Sequence, residues 1–168
     1  MNSASTSIEN ETGQSCQMLF ELFNEEMFGT LPDYLTKIMA QGPATMVLRE
    51  SMRQATSTIL NQDTEFKKWV TEANTMQEKI NVCYELYGRF GYSFNHQVES
   101  EDSGKIVIKM TECPHIEFTK KNPAACSVCE GILLGILDKE FEVHLPRIHY
   151  EKCIAKGNDF CRYEIELK

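Results

Sequence analysis

The sequence predicts an α+β domain in which amino-terminal helices pack on a small antiparallel sheet. Three observations carry that expectation. Apolar residues recur at helical spacing through the first half of the chain. The period switches to two after Gly88 and Gly91, and the later elements run hairpin, helix, hairpin. Strands paired locally, with helices segregated from them, build an antiparallel sheet with helices on one side.

Each element follows from its own pattern. Met18, Leu19, Leu22, Phe23 and Met27 predict a helix from Ser15, broken at Gly29-Thr30-Leu31-Pro32. A short helix is expected over Asp33 to Met39, ending at Gly42-Pro43, and a third over Ala44 to Leu60. Phe66, Trp69, Ala73, Met76, Ile80, Cys83 and Tyr87 alternate steps of three and four, which predicts one long helix from Glu65 to Phe90. Part of that stripe suits a contact between two copies of the chain.

Tyr92 to Glu99 and Lys105 to Glu112 read as a hairpin turning at Ser100 to Gly104. Pro123 opens a helix, Ala124 to Lys139. Phe141, Val143 and Leu145 alternate before Pro146, and Cys161, Tyr163, Ile165 and Leu167 alternate in the last strand. Between them Lys156-Gly157-Asn158-Asp159 has turn chemistry, with Gly157 expected at positive φ.

Composition narrows the function. There are 17 basic and 25 acidic side chains, a net charge of -8, which argues against binding nucleic-acid backbones. The apolar run from Gly131 to Leu137 is too short to span a bilayer. The opening residues have neither a basic segment nor an apolar one, so a secretion signal is not expected, and residues 1–14 read as a polar tail. A cytoplasmic protein is expected.

Seven cysteines are an odd number for a disulfide framework. Cys16 and Cys83 stand alone in helical patterns and read as core thiols. Cys113, Cys126, Cys129, Cys153 and Cys161 cluster in the last third, where thiols of a reducing compartment serve metal or redox chemistry. Cys126 and Cys129 form a C-x-x-C at a helix amino end, which favours thiolate. Cys153 and Cys161 flank a tight turn, and Cys113 ends a strand. Four thiolates suit tetrahedral zinc, and an iron–sulfur cluster is the alternative. The intervals of two, 23 and seven residues match no standard zinc ribbon. Gly131 and Gly135, four apart on one helix face, would admit a strand or a bound ligand at close range.

The string Cys153-Ile-Ala-Lys-Gly157-Asn-Asp-Phe-Cys161-Arg-Tyr, preceded by Cys126-x4-Gly131-x3-Gly135, resembles the 4-vinyl reductase domain family. That resemblance implies an α+β fold similar to the TRAPP vesicle-tethering subunits, and makes residues 63–168 a small-molecule-binding domain on which the helices of 15–62 pack. It maps zinc onto Cys126, Cys153 and Cys161, beside the effector pocket of related aromatic-sensing activators. Where relatives carry a further glutamate ligand, this chain has Tyr150. Cys113, Cys129, His115, His149 and Glu151 are the candidates to replace it, the thiolates being the softer donors. The extra cysteines are similar to those of methanogen output domains, which points to iron–sulfur or another soft metal.

The resemblance implies a sensory module with an apolar or aromatic ligand, and the long apolar stripe points to a homodimer that reports ligand binding to a regulatory partner. Its runner-up is an enzyme, a metal-dependent hydrolase or a tetrapyrrole vinyl reductase. His96, His115, His144 and His149 are dispersed, and no hydrolase, nucleotide or dinucleotide fingerprint accompanies them.

Overall fold

The computed structural model describes residues 21–62, 64–89, 95–102, 104–140 and 147–166. A π-helical turn, Glu25–Thr30, leads into helix α1 (Leu31–Ile38). Helices α2 (Gln41–Gln62), α3 (Thr64–Glu72) and α4 (Met76–Arg89) follow. A hairpin of β1 (His96–Asp102) and β2 (Lys105–Met110) precedes the short helix α5 (Ile116–Lys121). A 3-10 turn, Pro123–Ala125, opens α6 (Cys126–Glu140), and β3 (Arg147–Lys152) and β4 (Cys161–Glu166) complete the chain. The sheet is antiparallel, ordered β1-β2-β4-β3. The expected α+β class is what the chain adopts.

α6 lies between the helices and the sheet. On one side Leu133, Ile136 and Leu137 join Ile106 and Ile108 of β2, Tyr163 and Ile165 of β4, and Ile80 and Tyr84 of α4 in one core. On the other, Val128 packs with Leu48, Phe28 and Ala124. A helix covered on both sides has no need of a polar face, which explains the run Gly-Ile-Leu-Leu-Gly-Ile-Leu. Gly131 and Gly135 serve this packing. A Cβ on Gly131 would stand 2.6 Å from that of Met52, and one on Gly135 would stand 2.8 Å from that of Thr56. The close approach expected of a strand or ligand is therefore made by the backbone of α2.

Three helix expectations are corrected. Gly29 to Pro32 does not end a helix: Thr30 and Leu31 keep helical dihedrals, and Pro32, in the first turn of α1, has no amide to lose there. Gly42 and Pro43 likewise fall in the first turn of α2. The long helix from Glu65 is two. Thr75 and Glu78 form a capping box: the Glu78 carboxylate accepts from the Asn74 and Thr75 amides at 2.7 and 3.0 Å, and Thr75 Oγ1 accepts from the Glu78 amide at 3.2 Å. Starting a new helix at Met76 interrupts the continuous stripe proposed for pairing two copies.

α4 is tied to the sheet edge. The Val98 amide donates to Gln77 Oε1 at 3.2 Å beside the register shift in β1, and His96 Nε2 lies 3.0 Å from Asn81 Oδ1. The strand expected at 141–145 lies outside the described residues, as do Cys16 and His144; the described strand begins after Pro146, at Arg147.

Candidate metal and ligand site

The turn between β3 and β4 is built around its two cysteines. Asn158 Oδ1 accepts from the Cys153 amide at 3.0 Å, while the Cys153 carbonyl accepts from Lys156 at 3.0 Å and Asn158 at 3.3 Å. Gly157 closes the turn at φ 88°, as expected of it. The Ile154 amide donates to Cys161 Sγ at 3.3 Å. Amides aimed at sulfur stabilise thiolate and orient it.

Antiparallel pairing sets Cys161 opposite Met110, near the end of β2 from which the chain runs on to Cys113. Cys113 sits just before α5, with the His115 amide and the Thr119 hydroxyl bonded to its sulfur. Cys126 and Cys129 leave the first turn of α6 toward the same space. All five cysteines line one internal cavity of about 50 Å³, together with Tyr84, Leu133, Tyr150 and Tyr163.

Three of the five thiols are electrostatically linked. Cys153 accepts hydrogen bonds from Cys126 and Cys161, and these, with the Ala155 and Lys156 amides, hold its thiol pKa far below the ordinary range. Cys126 and Cys161 are pushed up, first by donating to Cys153 and then by burial. Burial also raises Cys113. A thiolate between two thiols is stable only while its neighbours keep their protons.

The oxygen and nitrogen candidates lie elsewhere. His115 is buried in the second core, stacked on Phe28 at 3.6 Å between ring centroids. His149 is exposed, opposite Glu164. Glu151 is exposed and paired with Arg162, which also holds Glu99 at 2.7 Å. None of the three lines the cavity.

One residue that sequence reasoning missed does line it. Glu130, four positions after Cys126 and so on the same face of α6, is buried. Arg49 lies 3.7 Å from its carboxylate and the Tyr150 hydroxyl bonds to it, yet burial dominates and raises its pKa. Tyr150 is itself pushed well above the usual phenol range by burial, so it stays a donor. A glutamate at the head of the apolar run Gly131 to Leu137, one turn from a cysteine, was a readable signal.

The donor set is soft and fits zinc or an iron–sulfur cluster better than a hard cation. Among the described residues no three His, Cys, Asp or Glu side chains stand as a ready coordination shell. The sulfurs hydrogen-bond to one another, so a metal would replace the shared protons. No helix among the described residues is long and apolar enough to cross a membrane.

The sequence profile of the family described as methanogen output domain 1 matches residues 27–166, from the π-helical turn to the end of β4. The chain belongs to that family. Methanogen output domain 1 is therefore the family shown, in keeping with the likeness of the extra cysteines to methanogen output domains; the 4-vinyl reductase family is not itself matched. No curated protein matches this methanogen output domain.

Its fold is found in solved structures. The trafficking protein particle complex subunit 3 of Naegleria fowleri, covalently bound to palmitic acid, superposes with a TM-score of 0.62 at 17% identity, over 90% of this chain and 96% of that one. An H-NOX domain of Shewanella oneidensis in the Fe(II)CO state gives 0.56 at 15% identity, over 86% and 75%. An H-NOX protein of the same organism in the Fe(II)NO state gives 0.55 at 17%, over 86% and 76%. At these identities the likeness is one of fold.

Proposed function

We propose that this output domain is a small-molecule sensor whose cysteines hold one metal ion, zinc, between α6 and the β3–β4 hairpin. Cys126, Cys153 and Cys161 are three ligands, and Cys113 or Cys129 is the fourth. The observation that carries the reading is the convergence of five cysteines, from separate parts of the fold, on one small cavity with backbone amides directed at the sulfurs. Zinc held there would fix the ends of three elements relative to one another. An iron–sulfur cluster on the same thiolates is the alternative.

Sensing is supported by the family's name and by the company the fold keeps. Two solved neighbours are H-NOX domains with carbon monoxide or nitric oxide at Fe(II), and another holds a palmitic acid. Exposed Leu22, Phe23, Tyr34, Ile38, Met46 and Val47 on the amino-terminal helices are where a second copy or a regulatory partner would receive the signal. α2 transmits it, being packed directly on α6.

The test is a set of single cysteine-to-serine variants purified without oxygen. Cys126→Ser, Cys153→Ser and Cys161→Ser should each lose the metal, and one of Cys113→Ser and Cys129→Ser should lose it while the other keeps it. Full metal content in Cys153→Ser would contradict the assignment.

A further inference from the structure

The two cysteines of the last hairpin stand opposite each other. Lys152 of β3 pairs with Arg162 of β4, and one step nearer the turn the same register sets Cys153 against Cys161. Cys153 keeps extended dihedrals, φ -148° and ψ 128°, so strand geometry continues through it. Its amide is taken by Asn158 Oδ1, and its carbonyl accepts from the amides of Lys156 and Asn158, all within the turn. With its backbone engaged there, Cys153 faces Cys161 as a non-hydrogen-bonded pair. Opposing Cα atoms of such a pair come within about 4.5 Å, with both side chains on one face.

A second distance agrees. Cys161 Sγ lies 3.3 Å from the Ile154 nitrogen, an atom of the peptide bond that Cys153 itself forms. A disulfide needs Cα atoms about 4.4–6.8 Å apart, so these two sulfurs can join without moving a strand. Both are free thiols. The other three cysteines of the cavity share no such register, since Cys126 and Cys129 come from α6 and Cys113 from beyond the end of β2.

Access separates the two members of the pair. Cys153 also lines an outer groove of about 410 Å³, between the first turns of α2 and α6 and the β3–β4 turn. Cys161 lines the inner cavity but not that groove.

We propose that Cys153 and Cys161 are a peroxide-oxidised thiol pair, in which Cys153 meets the oxidant and Cys161 closes the disulfide. The Cys153 thiolate attacks one oxygen of hydrogen peroxide. The O–O bond breaks, a sulfenic acid forms, and hydroxide leaves. The Cys161 thiol then attacks the sulfenic sulfur; the S–S bond forms, the S–O bond breaks, and the hydroxyl departs with the thiol proton as water. Two thiols are oxidised and one peroxide is reduced. The pair itself does not depend on a metal. Its consequence for the sensor rests on the metal reading: closure removes two of the assigned ligands, so peroxide would expel the ion.

The test is peptide mapping of the full chain, stripped of metal without oxygen and then treated with hydrogen peroxide. The tryptic peptides 153–156 and 157–162 should appear joined by a disulfide, and the free thiols should fall by two of the seven. A dithiol reductant should restore them. Cys126→Ser should form the same link, and Cys161→Ser should leave a sulfenic acid on Cys153 that dimedone captures. A zinc-loaded chain should release its ion in step with the link. A chain that binds no metal defeats the metal reading alone, because the mapping on metal-free protein still decides the pair. No link, or a link from Cys153 to Cys113, Cys126 or Cys129 in its place, would overturn the proposal.

Discussion

A Cβ built on Gly135 of α6 would stand 2.6 Å from the carbonyl oxygen of Arg53 on α2. At that separation neither backbone can yield without moving a whole helix. The crossing of α6 over α2, which places the first turns of both helices beside the cysteines, therefore depends on the absence of two side chains.

Alanine at either glycine tests the crossing with an unambiguous sign. In an exposed helix Gly→Ala stabilises by about 1 kcal/mol. Here Gly131→Ala and Gly135→Ala should destabilise, each by about 1–3 kcal/mol or more, because the added methyl overpacks the contact. Urea unfolding midpoints decide between the two directions.

The break between α3 and α4 makes a smaller prediction. Thr75→Ala removes the hydroxyl that accepts from the Glu78 amide, and should cost about 1 kcal/mol. Thr75→Ser should restore most of it. Equal midpoints for all three chains would mean that the capping box does not hold the helix start.

Tyr84 and Tyr163 join α4 to β4 through a hydrogen bond between their hydroxyls in the core. Tyr84→Phe and Tyr163→Phe should each destabilise by about 1–2 kcal/mol. The double variant should lose less than the sum, with a coupling on the order of 1 kcal/mol. Strict additivity would show that the two hydroxyls do not act as a pair.

His115 contributes a pH dependence. Burial lowers its pKa from the ordinary imidazole value of 6.5 to about 4, so the folded state favours the neutral ring. A base depressed in the folded state gives stability that is complete above its unfolded pKa and is lost as pH falls toward the folded one. Between pH 6.5 and about 4 the chain should lose up to about 3 kcal/mol through this group. His115→Phe preserves an aromatic ring against Phe28 and removes the titration. Its unfolding free energy should fall less steeply than that of the natural chain over that window.

How far the sequence carries differs between the fold and the site. The change of period after Gly88 marks the passage from helices to hairpin, and Gly157 marks the turn, because both depend on local backbone preference. The break at Thr75 was also local, written as Thr-x-x-Glu, but the regular stripe from Phe66 to Tyr87 concealed it. The fate of Gly131 was not legible. A small residue at an interface does not say which element will approach it.

The same holds at the cysteines. Cys126, Cys153 and Cys161 could be grouped from spacing and resemblance, and the fold sets all three on the lining of one cavity. Glu130 and Tyr150 meet only through the packing of β3 against α6, which no local pattern encodes. Their pairing sets a carboxylate beside the thiols even though position 150 itself carries none. His149 and Glu151 flank that position in sequence, yet both are exposed.

The central claim is that the cysteine cluster binds metal, and native mass spectrometry with elemental analysis tests it most directly. On protein purified without oxygen, the account predicts one zinc per chain, lost on Cys153→Ser. Iron with acid-labile sulfide would replace zinc by the alternative cluster, and a chain carrying no metal at all would contradict the claim.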